Sequence, residues 1–160
     1  FSFAFRTLLV DLELFPLYGG EYSLDTIRCK PKMAAYKIFV VDDDESMCQI
    51  MSAWLSAAGH MVKYDTAAST ALPQLAAFEP DAILVDLMMS GVDGLELISE
   101  LRARDELANA AIIMVSARTN DLWFERAEDA GADGYLTKPL DQSSFVEKVG
   151  VIVAARQSAS

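Results

Sequence analysis

The 160 residues suffice for one domain with a proper core, and 52% hydrophobic against 23% charged residues excludes a disordered chain. A formal net charge of -11 argues against a nucleic-acid-binding surface and against docking on anionic lipid. Two cysteines, Cys29 and Cys48, make neither a disulfide framework nor a metal-ligand set, and they read as free thiols in a reducing, cytoplasmic compartment.

Residues 1–32 stand apart from the rest. Four basic residues (Arg6, Arg28, Lys30, Lys32) balance four acidic ones (Asp11, Glu13, Glu21, Asp25), so the negative charge lies from Met33 onward. FSFAFRTLLVDLELFPLYGG has no clean helical or strand period. Charges interrupt it well short of the ~20 apolar residues of a membrane span. The basic start and cleavage site of a signal peptide are missing as well. Met33 is the first methionine. Two readings stand: the natural product starts at Met33 and residues 1–32 are upstream or fused sequence, or they form a docking segment or the tail of another domain. The expected organisation is an extension over 1–35, one domain over 36–156 and a tail over 157–160.

From Lys37 strands and helices alternate. KIFVV is a β-branched run that predicts a buried strand. Met47, Ile50, Met51, Trp54 and Leu55 recur at helical spacing, and Gly59 stops that helix. His60, the only histidine, reads as a turn residue and not as a ligand. MVKYDT predicts the second strand. Residues 71–78 predict a short helix with Pro73 in its first turn. DAILVD is the third strand, and GLELISELRA is a helix with Leu95, Ile98 and Leu101 inward. AIIMVS is the fourth strand, and residues 120–130 form a helix closed by Gly131. ADGYLT is the last strand. The final helix starts near Asp141, a good N-cap, and buries Phe145, Val149, Ile152 and Val153. Trp54 and Trp123 read as packing or surface groups.

Five strands thus alternate with five helices. KIFVV, AILV and AIIMV are continuously apolar, which requires cover on both sheet faces. The implied fold is α/β, a doubly wound parallel sheet. Ligands of such sheets bind outside the carboxyl ends of the strands. Asp42, Asp43 and Asp44 follow the first strand, Asp86 ends the third, Ser116 the fourth, and Lys138 follows the fifth. Adjacent carboxylates repel and resist burial, so the first group needs either a solvated loop or a bound cation. Asp44 reads as the N-cap of the helix from Glu45. Asp42 and Asp43, taken singly, read equally well as caps or as ligands. Asp93 and Gly94 read as turn chemistry and helix start.

VVDDDE, the strand-terminal Asp86 with GVDG behind it, the Ser116 strand end and GADGYLTKP occur in that order. Together they resemble the response regulator receiver domain, a flavodoxin-like family with strand order 2-1-3-4-5. The resemblance covers about residues 36–155. It implies that Asp86 accepts a phosphoryl group, forming an acyl phosphate. It implies Mg²⁺, held by Asp43, Asp86 and the backbone carbonyl of Met88, with Asp42 acting through water. Lys138 would bind one phosphoryl oxygen and Ser116 another, and a cis peptide before Pro139 would aim the lysine inward. Ser116 and Tyr135 would form a switch whose output surface is the fourth helix, last strand and last helix.

The implied donor is a sensor histidine kinase or histidine phosphotransfer protein, docking near Glu45 and Gln49. The receiver would stand alone and signal to a downstream protein target, with no nucleic acid and no membrane as partner. It would be regulatory and not an enzyme, beyond catalysing its own phosphotransfer and dephosphorylation. Ser90 stands where the family commonly has proline, which predicts a less rigid loop behind Asp86. Met88 and Arg118, each two residues past a site residue, are expected to set the lifetime of the phosphoryl group. Three alternatives compete. A hydrolase turning over an aspartyl-phosphate would want an acid where Met88 stands. A flavin-binding relative would want a phosphate cradle, and DDDES is the opposite. A degenerate scaffold is opposed by the complete Asp43, Asp86, Ser116 and Lys138 set.

Overall fold

The computed structural model describes residues 34–159. The readings of Cys29 and of residues 1–32 lie outside that range. The apolar runs fold as five strands: β1 (Lys37–Val41), β2 (Met61–Asp65), β3 (Ala82–Asp86), β4 (Ala111–Ser116) and β5 (Gly134–Thr137). They pair in parallel in the order β2-β1-β3-β4-β5. Every residue of β3 and β4 is buried, whereas the edge strand β2 is largely exposed. Continuous hydrophobicity therefore marked the central strands, as two-sided cover requires.

Five helices supply that cover: α1 (Glu45–Ala57), α2 (Ala68–Phe78), α3 (Gly94–Arg102), α4 (Asp121–Ala130) and α5 (Gln142–Ser158). Phe39, Val41, Ile83, Val85, Ile112 and Met114 share one core with apolar residues of α2, α3 and α4. α1 and α5 pack together, with Trp54 edge-on to Phe145 at 5.9 Å between ring centroids. Trp54 is thus a packing group. Among the described residues no helix is long and apolar enough to cross a membrane.

Local chemistry explains most helix boundaries. Asp44, Asp93, Asn120 and Asp141 each accept a backbone N–H at a helix start. Gly131, at φ 103°, closes α4 in the left-handed conformation. α2 departs from expectation. It begins at Ala68, three residues early, so Pro73 sits in the second turn and deletes one helical hydrogen bond. Ala67 has no capping side chain. Asp65, at the end of β2, ties down the helix start by accepting from the Ala67 N–H (3.0 Å) and the Thr70 hydroxyl (2.7 Å).

Two short elements escaped the periodicity argument. One is a 3₁₀ turn over Asp105–Leu107. The other is an antiparallel hairpin, Met88–Met89 against Val92–Asp93, turned at Ser90 and Gly91. Gly91 has φ 81°, the conformation a type II turn asks of its third residue. Two-residue strands are too short to carry a period.

Polar groups also line the amino-terminal edge of the sheet. Asp133, just before β5, accepts from Arg102, Arg156 and the Ile112 N–H. Arg102 further donates to the Ala110 and Gly131 carbonyls, and Arg156 to that of Ala108. His60, in the turn before β2, is buried. Its Nδ1 accepts the Tyr36 N–H (3.2 Å) and its ring stacks on Tyr36.

Candidate functional site

Parallel pairing brings the strand ends into line. Val41 lies opposite Val85, Asp86 opposite Val115, and Ser116 opposite Thr137. The residues that follow β1 and end β3 and β4 therefore meet at the carboxyl edge. α3 starts directly against the end of β3. A Cβ on Gly94 would run into the Asp86 carbonyl oxygen and lie 2.7 Å from Leu87 Cα. Only glycine permits that approach, so Gly94 holds the strand end in place without touching the carboxylate.

One oxygen from each of Asp42, Asp43 and Asp86 lies within 4.8 Å of the others. Asp42 and Asp86 are buried, and Asp43 is exposed. Lys138 Nζ bridges the two buried carboxylates, 2.9 Å from Asp42 Oδ2 and 2.9 Å from Asp86 Oδ1. The Lys138–Pro139 peptide is cis. The other oxygens of the two buried carboxylates, and one of Asp43, accept further hydrogen bonds. Asp42 Oδ1 accepts the Asp44 N–H (2.9 Å) and Asp86 Oδ2 the Met88 N–H (2.8 Å). Asp43 Oδ2 accepts both the N–H and the hydroxyl of Ser90.

Asp44 is the cap of α1, accepting from Ser46 and Met47. The four-acid run thus divides by neighbour: Asp44 belongs to the helix, Asp42 and Asp43 to the cluster. Ser90 is the residue whose role the sequence concealed. Its position suggested a looser loop, yet its two hydrogen bonds tie the hairpin to Asp43. The turn signal SG between Met89 and Val92 was the available clue.

The electrostatics fit a site short of positive charge. Burial raises the Asp42 pKa, against the pull of the Asp44 N–H and of Lys138. The Ser90 N–H, then its hydroxyl, holds Asp43 below the usual carboxylate value. Burial works against the Lys138 charge, but its hydrogen bonds to Asp86 and Asp42 prevail and raise its pKa. Three carboxylates face one lysine, and all the spare donors are hard oxygens. That donor set suits Mg²⁺. Cys48 is unsuited to any such role, because burial beside Asp42 pushes its thiol up to about 12.

Ser116 is buried, and its hydroxyl accepts the Arg118 N–H (3.1 Å). The Arg118 carbonyl accepts the Tyr135 hydroxyl (2.9 Å), and the Tyr135 ring meets Phe124 edge-on. Burial raises the Tyr135 pKa against the Ser116 hydroxyl and the Arg118 charge. The two residues read as a switch are thereby joined through one backbone unit. The Arg118 guanidinium turns outward over Trp123. Met88 has a fully engaged N–H and an exposed side chain.

A doubly wound parallel sheet with this acidic cluster, its lysine and a strand-end hydroxyl defines a CheY-like regulatory domain. The chain belongs to the response regulator receiver domain family, whose model matches residues 38–150. The DNA-binding response regulator MtrA of Mycolicibacterium smegmatis is 32% identical, over 79% of this chain and 51% of that protein. The uncharacterized transcriptional regulatory protein YvcP of Bacillus subtilis is 31% identical, over 71% of this chain and 47% of that protein. A putative response regulator from Chloroflexus aurantiacus superposes with a TM-score of 0.71 at 28% identity, covering 76% of this chain and 99% of that one. The chain spans about half the length of the curated relatives it matches. It contains a receiver domain of the two-component type, a regulatory module whose family binds Mg²⁺ at an acidic pocket.

Proposed function

We propose that this chain takes a phosphoryl group from a phospho-histidine protein onto Asp86 and passes the signal to a protein target. The observation that carries the proposal is Lys138 Nζ bridging Asp42 and Asp86 beside Asp43. One Asp86 oxygen attacks phosphorus. The P–O bond forms as the P–N bond of the donor breaks, and the electron pair leaves with the imidazole nitrogen. Asp42, Asp43, Asp86 and the Met88 carbonyl would hold Mg²⁺, which supplies positive charge against the equatorial oxygens of the transferred group. Lys138 turns from the Asp86 carboxylate to a phosphoryl oxygen. Catalysis is then positioning and electrostatics within a shielded cluster.

Ser116 donates its hydroxyl to the phosphoryl group and gives up the Arg118 N–H. That displaces the Arg118 backbone and, with it, the acceptor of Tyr135. The phosphoryl group needs to bias this linked pair by only a few kcal/mol to switch the surface of α4, β5 and α5. Met88 and Arg118, each two residues past a site residue, govern access of the hydrolytic water.

Incubation with acetyl phosphate, followed by intact-protein mass spectrometry, tests the proposal. A Mg²⁺-dependent phosphoryl adduct that disappears in Asp86→Ala is the expected result. If neither acetyl phosphate nor a phosphorylated histidine phosphotransfer protein yields an adduct, and Mg²⁺ does not bind, the acceptor reading is wrong and the scaffold reading replaces it.

A further inference from the structure

Ser90 lies 47 residues from Asp43 in sequence, yet both of its donors reach one atom, Asp43 Oδ2: the backbone N–H at 2.7 Å and the hydroxyl at 2.8 Å. Asp43 is otherwise an exposed side chain. An exposed aspartate samples several rotamers, and a ligand must be confined to one before it can bind a cation at full strength. The clamp depends on the residue type at the turn. Ser90 precedes Gly91, which has φ 81°, so Ser90 stands at the second position of the turn, where proline is favoured. Proline would stiffen the turn but would bring no N–H and no hydroxyl.

We propose that Ser90 is a positioning residue for cation binding. It holds Asp43 by Oδ2, leaves Oδ1 to the cation, and ties the hairpin after Asp86 to the loop after β1. The cation site is thereby partly assembled before the cation arrives. This rests on the reading that Asp42, Asp43 and Asp86 hold Mg²⁺.

Calorimetric titration of Mg²⁺ into metal-stripped full-length protein tests it, with the melting temperature of each variant measured in EDTA. Ser90→Ala keeps the N–H and loses the hydroxyl, and it should weaken Mg²⁺ binding about 3- to 10-fold. Ser90→Thr restores a hydroxyl and should return binding to within about 2-fold of the parent. Ser90→Pro loses both donors while keeping the turn, and should weaken binding more than Ser90→Ala. That order, with EDTA melting temperatures held within a few degrees, supports a positioning role. Parent protein that binds Mg²⁺ with all three variants unchanged overturns the proposal alone. Parent protein that does not bind Mg²⁺ overturns the proposal together with the metal reading beneath it.

Discussion

At the amino-terminal edge of the sheet, Arg102 and Arg156 enclose Asp133, and their spare donors go to the carbonyls of Ala108, Ala110 and Gly131. At the carboxyl-terminal edge, one lysine faces three carboxylates. The first cluster sets two guanidinium groups against one carboxylate, and its surplus donors are taken up by backbone carbonyls, so it is complete without any ligand. The second carries excess negative charge, part of it buried, and is completed only by a cation or a transferred group. Charged groups whose hydrogen-bonding capacity is met within the chain need no ligand, whereas buried carboxylates left in excess mark a place for a cation to bind.

Removing one member from each cluster should break the comparison in opposite ways. Asp133→Ala leaves two guanidinium groups and the Ile112 N–H without their shared acceptor. It should cost about 2–3 kcal/mol in urea unfolding, since the groups are only partly shielded from water. The folded fraction should still form the phosphoryl adduct at the far edge. An Asp133→Ala protein as stable as the parent would show that the Asp133 network is ornamental.

Asp42→Asn should do the reverse. Asparagine keeps an acceptor for the Asp44 N–H and removes a charge that repels Asp86, but it turns an amide NH2 toward Lys138, which retains Asp86, so metal-free stability should fall by only about 1–2 kcal/mol. The gain from Mg²⁺ should largely vanish. In the parent, Mg²⁺ at about 100 times its dissociation constant adds about 2.7 kcal/mol, a rise of several degrees in melting temperature. An equal rise in Asp42→Asn would place the cation elsewhere.

The smallest effect sharpens the comparison at the amino-terminal edge, where His60 is held neutral. Burial keeps its folded-state pKa below the ordinary 6.5, so the unfolded chain binds the proton first. Its stabilising contribution is full above about pH 6.5 and is lost as the pH falls from there toward the folded-state value. Urea midpoints at about pH 7.5 and 5.5 should fall less in His60→Gln, which offers Tyr36 an acceptor that does not titrate. Equal slopes in both proteins would remove His60 as a source of acid sensitivity.

Much of this molecule was legible in the chain. Five apolar runs, the caps Asp44 and Asp141 and the stop at Gly131 lie within a few residues of the atoms they act on, so local chemistry decides them. The strand-end positions of Asp86, Ser116 and Lys138 were readable for the same reason, because a parallel sheet sends every strand end to one edge. The start of α2 was misjudged because it has no capping side chain, and the residue that ties it down, Asp65, belongs to the end of the preceding strand. Tertiary contact alone divided the acidic run. Asp43 could not be told from a cap until Ser90, far along the chain, was seen to hold it. The sequence determined which of the long elements form and which groups reach the edge. The fold decided which of those groups meet, because a hydrogen bond between residues 47 apart follows from packing and leaves no period in the chain.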